Sequence, residues 1–386
     1  MKKRLLYIGH EYHLKTRSVG FLLDIFKKEY ELTCLCVDPH KGSDEVDVTP
    51  VSRQHFDLLV CLQVMPSIDR IRQFVTFDHG AFFPMADYYF GARPVSHPVW
   101  REYAGFHIIS FSKRVYDEVR LSGFDTRYVQ YFPEPPEDPP PGNPTGVFFW
   151  QRVTDINPWL LQRLLKGFPI DELHMHYAID PGMQKVGVPE DLASRCRVTE
   201  SSWFETREEM TRRMTDMAIY IAPRDIEGIG MSFLEAMSLG RCVIAENNTT
   251  MNEYIRHGKT GYLYRRSKKT GSIPLHSSDQ VRRIQKNVLA YMRKGWDKWR
   301  AQRELIPAWC VSPLSCDPEK VAKGELSPWL RFLRSFKGAN VAWVHEHTIR
   351  FLGIPLISCR RDVHRTACRW EILRFPVYES REEAFQ

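Results

Sequence analysis

The sequence has no long uninterrupted run of apolar residues. A helix that crosses a membrane needs roughly 18 or more such residues, so no membrane span is expected. The N-terminus, MKKRLLYIGH, begins with basic residues, but the apolar run that follows is too short for a secretory signal peptide. We therefore expect a cytoplasmic protein, and contact with the inner face of a membrane stays open.

Signals for three common kinds of site are also missing. The nine cysteines include no CxxC pair and no His/Cys cluster at zinc spacing, which indicates free thiols in a reducing compartment. No GxGxxG follows the first predicted strand, so an NAD site is not supported. The net charge of +7 is too small an excess to predict nucleic-acid binding, although it suits an anionic substrate or an acidic membrane surface.

The clearest pattern that is present lies in IYIAPRDIEGIGMSFLEAMSLGRCVIAE. A β-branched run at 219–222 predicts a buried strand, and apolar residues at helical spacing predict a helix over 231–239 that ends before Gly240. A second strand is predicted over 242–245. The two strands of such a unit are parallel, and its ligand binds where the loop meets the helix.

The loop of this unit combines a predicted anion site with two carboxylates. Free N–H groups and the positive end of the helix dipole suit a phosphate, and Gly228 and Gly230 allow close approach. Glu227 is at the tip of the loop, and Glu235 leans back toward it because helical side chains point to the N-terminus. Since carboxylates accept hydrogen bonds from sugar hydroxyls, the pattern predicts a phosphate that carries a sugar on each side.

The segment EGIGMSFLEAMSLGRCVIAE, with its Glu-x7-Glu spacing, and the later NEYIRHGKTGYL resemble the retaining GT-B glycosyltransferases of family four. The resemblance implies an α/β protein of the GT-B class, with two Rossmann-like domains facing a cleft and a C-terminal extension. It also implies that Glu227 contacts the donor sugar near the reacting carbon and that Glu235 holds the ribose hydroxyls. Gly228, Ile229 and Gly230 would then lie along the diphosphate.

The resemblance also implies cations for the diphosphate and a histidine for the sugar. Arg152 matches the family's first cation, but Asn157 stands where a lysine is usual. Either the diphosphate clamp is weaker here or another cation such as Arg224 contributes to it. His79 follows a strand predicted at 75–77 and is expected to contact the donor sugar or the leaving phosphate.

Other loop residues are weaker candidates. Thr249 and Thr250 stand where the family has two glycines whose loop faces the phosphates, and they are assigned to the donor site. Trp203 is a candidate for stacking on the nucleotide base, with a buried aromatic as the alternative. The first loop adds a polar, basic group of residues that individually carry little weight: His10, Glu11, His13, Lys15 and Arg17.

A proline-rich segment at 134–145 marks the predicted domain boundary, because proline lacks a donor and fixes φ. The predicted organisation is an N-terminal acceptor domain at 1–133, this linker, and a nucleotide-sugar-binding domain at 146–312. The extension at 313–386 is expected to pack in part on the first domain.

The predicted activity is a metal-independent, retaining transfer of a hexosyl-type sugar from a nucleotide-diphosphate sugar to an acceptor. The resemblance suggests a bacterial surface polysaccharide or a lipid-linked glycan as the acceptor. No resident cofactor is expected. Two alternatives stay open. One is a nucleotide-sugar epimerase or phosphorylase of the same fold, and the other is an inactive sugar-nucleotide-binding scaffold subunit, which Asn157 and the threonine pair 249–250 keep open.

Overall fold

The computed structural model describes residues 2–37, 44–202, 204, 206–266 and 270–326, together with the backbone of strands within 343–381. The chain forms two compact units. The first comprises residues 1–129 and 301–386, and the second comprises residues 130–300. The boundaries between the units lie after residues 129 and 300, earlier than the predicted boundaries at 133 and 312. Residues 301–312, which were predicted in the second domain, belong to the first unit.

Each unit is built on a six-stranded parallel sheet, which confirms the predicted α/β class with two Rossmann-like sheets. In the strands of the first sheet, residues 5–9, 58–62 and 107–110 are buried without interruption, as expected where both faces of a parallel sheet are covered. Its strands are β1 Lys3–His10, β2 Tyr30–Val37, β3 His55–Leu62, β4 Thr76–Phe83, β5 His107–Ser110 and β6 Thr126–Tyr128. The order across this sheet is β2-β1-β3-β4-β5-β6, so it reverses between β1 and β3.

The second sheet has the order β12-β11-β10-β7-β8-β9. Its strands are β7 Asn143–Gln151, β8 Glu172–Tyr177, β9 Arg197–Ser201, β10 Met217–Ile221, β11 Cys242–Glu246 and β12 Gly261–Tyr264. The order reverses between β7 and β10. In open α/β sheets this reversal opens a crevice at the carboxyl ends of the strands, where ligands bind.

The helices of the described residues connect these strands or follow them. They are α1 Glu11–Lys15, α2 Gly20–Phe26, α3 Ile68–Ile71, α4 Ala86–Gly91, α5 Lys113–Leu121, α6 Pro158–Leu164, α7 Glu190–Ala193, α8 Arg207–Asp216, α9 Met231–Ser238, α10 Met251–Tyr254, α11 Ser278–Arg303, α12 Ile306–Cys310 and α13 Pro318–Ala322. Short 3-10 turns lie at Thr49–Val51 and Pro98–Tyr103. None of the helices described is long and apolar enough to cross a membrane.

The C-terminal extension contains an antiparallel sheet that the sequence analysis does not predict. Its strands pair in chain order as a meander. They are β13 Trp343–Phe351, β14 Ile354–Asp362, β15 Ala367–Ile372 and β16 Phe375–Arg381.

The proline-rich segment differs from the predicted linker because it is hydrogen bonded within the second unit. Arg241 is 1% exposed. It donates to the carbonyl of Pro141 at 3.1 Å and also to the carbonyl of Pro140. Proline has no N–H to offer, but its carbonyl remains an acceptor, and β7 already begins at Asn143.

Candidate functional site

The loop between β10 and α9 turns sharply at Gly230. This residue has φ +83°, a left-handed conformation that favours glycine. A Cβ at Gly230 would lie 1.9 Å from Cε1 of Phe233, so the ring fills the space that any side chain needs. The predicted strand–loop–helix unit is therefore present, and residues 227–230 are buried where the loop enters the helix.

The structure brings the two predicted glutamates to the same side of this unit. Glu227 is 8% exposed, and Glu235 lies half-buried in α9. The hydroxyl of Tyr220, on β10, reports their proximity. Burial raises the pKa of Tyr220, and the negative charges of Glu227 and Glu235 raise it further, while the positive charge of Arg152 opposes the shift.

The loop after β11 is tied to the Glu227 loop by hydrogen bonds. Thr250 is fully buried, and its hydroxyl donates to the carbonyl of Ile229 at 3.2 Å. The N–H of Glu227 donates to the carbonyl of Thr249 at 3.3 Å. The hydroxyl of Thr249 lies 2.9 Å from Oε1 of Glu253. The two threonines stand where the resemblance predicts glycines. Their hydroxyls make hydrogen bonds inside the protein, to Ile229 and to Glu253, which hold the loop after β11 in place.

Two arginines meet at one carboxylate where the strand order reverses. Arg152 follows β7 and donates from Nε and Nη2 to Oδ1 of Asp180 at 2.9 and 2.7 Å. Arg224 follows β10 and donates from Nε and Nη2 to Oδ2 of Asp180 at 3.0 and 2.5 Å. The structure therefore brings both predicted cations together. Sequence analysis missed Asp180, which lies three residues after the end of β8.

Asn157, the departure from the family pattern, has a local structural role. It caps α6, where its Oδ1 accepts from the N–H of Trp159 at 3.0 Å and of Leu160 at 3.2 Å. Asparagine is among the best residues for this position, because its side chain satisfies N–H groups that have no partner within the helix. The residue is therefore explained by helix capping, and it brings no charge to the site.

An aromatic layer leads from Tyr220 across the neighbouring strands. Tyr220 stacks on Phe148 at 5.7 Å, and Phe148 stacks on His174 at 5.3 Å. His176 in turn stacks on Phe204 at 4.4 Å. Burial lowers the pKa of each of these histidines to about 4, so both rings are neutral at pH 7. Trp203, predicted to stack on a base, lies outside the described residues.

A second network anchors the loops beyond β10 and β11. The guanidinium of Arg266 lies 2.9 Å from Oδ2 of Asp225 and 3.2 Å from Oδ2 of Asp155. Its Nε is 3.6 Å from Oε2 of Glu246. Burial raises the pKa of Glu246, and the charge of Arg266 opposes that shift. Asp225 lies two residues before Glu227, so this network holds one side of the glutamate loop.

His79 is not where the sequence analysis predicts it. The strand predicted to end at Phe77 continues to Phe83, because the apolar residues 80–83 are buried in the sheet. His79 is the fourth residue of β4 and pairs with Leu58. At about 3.3 Å per residue it lies roughly 13 Å before the carboxyl end of the strand. The predicted end of the strand at Phe77 is therefore wrong.

The carboxyl ends of the first sheet instead bring His13 and Gln63 together. Nε2 of His13 lies 2.5 Å from Oε1 of Gln63, and its Nδ1 lies 2.9 Å from Oγ of Ser18. Burial lowers the pKa of His13, while the hydrogen bond to Gln63 opposes the shift. His13 is among the weaker sequence candidates, whereas no sequence signal indicates Gln63.

Comparison with known proteins gives a family match for a segment of the second unit. Residues 182–272 match the family model of glycosyl transferases group 1. The matched segment contains the Glu227 loop, α9 and the loop after β11. No curated protein matches the sequence.

Solved structures share the fold at low sequence identity. The sucrose-phosphate synthase of Thermosynechococcus elongatus is 13% identical with a TM-score of 0.52, and the match covers 80% of this chain and 100% of that one. Anabaena HepE in complex with UDP and glucose is 12% identical with a TM-score of 0.53, covering 79% of this chain and 100% of that one. The two six-stranded parallel sheets match glycosyltransferase structures of the GT-B class.

Proposed function

We propose that this chain, whose residues 182–272 match the glycosyl transferases group 1 and whose fold is GT-B, is a retaining glycosyltransferase. It would move a sugar from a nucleotide-diphosphate sugar to an acceptor. The family match and the fold support glycosyl transfer in general. The observation that carries the proposal is that Arg152 and Arg224 meet at Asp180, while the charges of Arg152, Glu227 and Glu235 all act on the hydroxyl of Tyr220 in β10.

Each of these groups suits one part of such a donor. Arg152 and Arg224 face the diphosphate, since a planar guanidinium matches phosphate oxygens with paired hydrogen bonds. Glu235 accepts from the ribose hydroxyls, and Glu227 accepts from the transferred sugar. The N-terminus of α9 adds backbone N–H groups and the positive end of its dipole.

The chemistry needs stabilisation of a leaving diphosphate more than it needs a protein nucleophile. The acceptor hydroxyl oxygen forms a bond to the anomeric carbon on the face from which the diphosphate leaves, while the bond from that carbon to the diphosphate oxygen breaks. The hydroxyl proton passes to the departing diphosphate. Cations and dipoles already aimed at the leaving group stabilise its growing charge. We propose that the two arginines and the helix N-terminus do this without a divalent metal, so excess EDTA should leave the transfer rate unchanged.

UDP-sugars are the first donors to test, because the structure of Anabaena HepE holds UDP with glucose. The proposed acceptor is a glycan or a lipid-linked glycan at the inner face of a membrane. The net charge of +7 suits an acidic membrane surface. Proton NMR of the first product formed would give its anomeric configuration and so test retention directly.

A thermal-shift panel of UDP, GDP, ADP and their sugars tests donor binding. A ligand that binds only the folded state, at about 100 times its Kd, should stabilise the protein by about 2.7 kcal/mol. Glu235→Ala should abolish most of this shift because it removes the ribose contact. Glu190→Ala, at an exposed position in α7 of the same unit, is the matched control and should keep it.

The alternatives give different results in the same assays. A shift with one nucleotide, together with a new sugar isomer or a sugar phosphate as product, would indicate the epimerase or the phosphorylase. Donor binding without any product would indicate a scaffold subunit. Folded protein that shows no shift with any nucleotide would contradict the proposal.

A further inference from the structure

We propose that Asp180 is a positioning residue of the diphosphate clamp, holding Arg152 and Arg224 side by side before the donor binds. This inference rests on the proposed function of the same site. It concerns a residue outside the matched family segment, in the loop after β8, whereas the two arginines follow β7 and β10.

The geometry is that of one carboxylate shared by two guanidinium groups. Each oxygen of Asp180 accepts from Nε and Nη2 of one arginine, over distances of 2.5–3.0 Å. The three side chains are 16–27% exposed, so solvent screens the contacts only in part. Because the Nε edge of each guanidinium faces Asp180, the arginines are held in a defined orientation.

Asp180 is itself held by the residue that it orients. Its backbone N–H donates to the carbonyl of Arg152 at 2.9 Å, while its side chain accepts from the Arg152 side chain. The Arg152 guanidinium also lies 5.1 Å from the centre of the Trp150 ring. These contacts hold Asp180, in the loop after β8, against the loop after β7.

Two effects of Asp180 on a bound diphosphate oppose each other. Its negative charge repels phosphate, which would weaken binding. Its contacts keep two positive groups together that would otherwise repel each other, and they restrict two long side chains before binding. We expect the second effect to dominate, because Asp180 occupies the Nε edges of the arginines and not the whole of either guanidinium.

The arrangement also accounts for the missing lysine. Asn157 caps α6 and contributes no charge, so the second cation comes from another strand. Arg152 and Arg224 lie at the ends of β7 and β10, and within the described ranges Asp180 is the side chain that joins them. A clamp assembled from separate loops needs such a bridge more than a clamp built on a single loop.

The test compares UDP with UMP by calorimetry in the wild type and in Asp180→Asn. Asparagine keeps the size of the side chain but removes its charge. We expect the Kd for UDP to rise at least tenfold, which is about 1.4 kcal/mol, and the Kd for UMP to change less than threefold. Asp191→Asn, which removes an exposed acidic charge from the same unit, should leave both values within twofold.

Each outcome decides the inference. Unchanged or tighter UDP binding in folded Asp180→Asn would overturn it and leave the proposed function standing. Equal losses for UDP and UMP would also overturn it, because they indicate general damage to the site. A wild type that binds no nucleotide would overturn the proposed function, and the inference with it.

Asp180→Glu provides a second variant if Asp180→Asn does not fold. It keeps the charge but moves the carboxylate by one methylene. It should weaken UDP binding by a smaller factor, again with little change for UMP. Wild-type affinity for UDP in this variant would overturn the inference.

Discussion

The two parallel sheets have the same number of strands but carry different chemistry where their strand order reverses. In the first sheet the reversal lies between β1 and β3, and the side chains there are His13, Gln63 and Ser18. In the second it lies between β7 and β10, where Arg152 and Arg224 meet. In both units the fold brings the carboxyl ends of the strands to one edge of the sheet, and the loops decide what that edge can bind.

The difference extends to how the polar groups are held. Gln63 is a non-glycine residue at φ +66°, and its N–H donates to the carbonyl of Phe83 at 2.9 Å. Such a conformation costs on the order of 1–3 kcal/mol and persists where surrounding contacts fix it. In the second sheet the left-handed position at the edge is Gly230, which adopts it without that cost.

The largest expected effect is a loss of transfer activity from a change in the second unit, with no such loss from the matched change in the first. Glu227→Gln should lower the transfer rate by roughly 10²–10³-fold, because the amide cannot supply a charged acceptor to the sugar in the transition state. Nucleotide affinity should stay within about threefold. Single-turnover transfer and calorimetry would measure the two quantities.

His79→Ala is the matched change in the first sheet. Its place in the middle of β4 leads us to expect less than a threefold change in rate. A loss as large as that of Glu227→Gln would show that His79 takes part in the reaction. The two sheets would then not differ in this respect.

The sequence was a good guide where local pattern decides the structure. The run from β10 to β11 combines a β-branched strand, a glycine turn and an apolar helix face, and the structure has all of these. Glu227 and Glu235 could be placed because their positions depend on this one unit. Their spacing along the chain fixes their arrangement.

The sequence was a poor guide where distant segments meet. Asp180 joins Arg152, 28 residues earlier, and Arg224, 44 residues later, and no local signal pairs them. His79 was misplaced because Asp78-His79-Gly80 resembles a turn, while pairing with β3 carries the strand through it. Tertiary pairing overrode the local preference in that case.

The next effect concerns the turn at Gly230. Gly230→Ala should destabilise the protein by about 2–4 kcal/mol, since it adds left-handed strain and an overlap with Phe233. Gly258→Ala is the control, because Gly258 has φ +73° but no atom within 4 Å of an added Cβ. It should cost only about 1–2 kcal/mol. Urea unfolding of both variants would measure the difference, and equal losses would show that the Phe233 overlap adds nothing.

Acid should weaken β8 of the second unit before β5 of the first. The folded pKa of His174 and His176 is about 4, below the unfolded value of 6.5, so the unfolded state binds more protons between these values. Their stabilisation is complete above pH 6.5 and is lost as pH falls to 4. At pH 5 the loss is about 1–2 kcal/mol per histidine.

In the first unit, the carboxylate of Asp125, which contacts His107 of β5, titrates at a lower pH. Burial raises the pKa of Asp125, but hydrogen bonds from His107 and Ser315 outweigh burial and hold it below 3.8. Its contribution is present above pH 3.8 and is lost below that value. Between pH 7.5 and 4.5, the hydrogen-exchange protection factors, which are corrected for the intrinsic exchange rate at each pH, should therefore fall in β8 more than in β5.

His176→Gln removes one of these titrations and should flatten the pH dependence of exchange in β8. His276→Gln, at an exposed position, is the control and should not. An equal fall of the protection factors in β5 and β8 would contradict this account.

The smallest effect tests whether the threonine pair that replaces glycine is structural. Thr250→Val keeps the volume of the buried side chain but loses the hydroxyl that donates to the carbonyl of Ile229. It should cost about 1 kcal/mol, the usual net value of one hydrogen bond, because it leaves a buried carbonyl without this donor. Transfer should fall only a few-fold, since the hydroxyl braces the Glu227 loop from within. A loss of transfer with unchanged stability would mean instead that Thr250 contacts the donor.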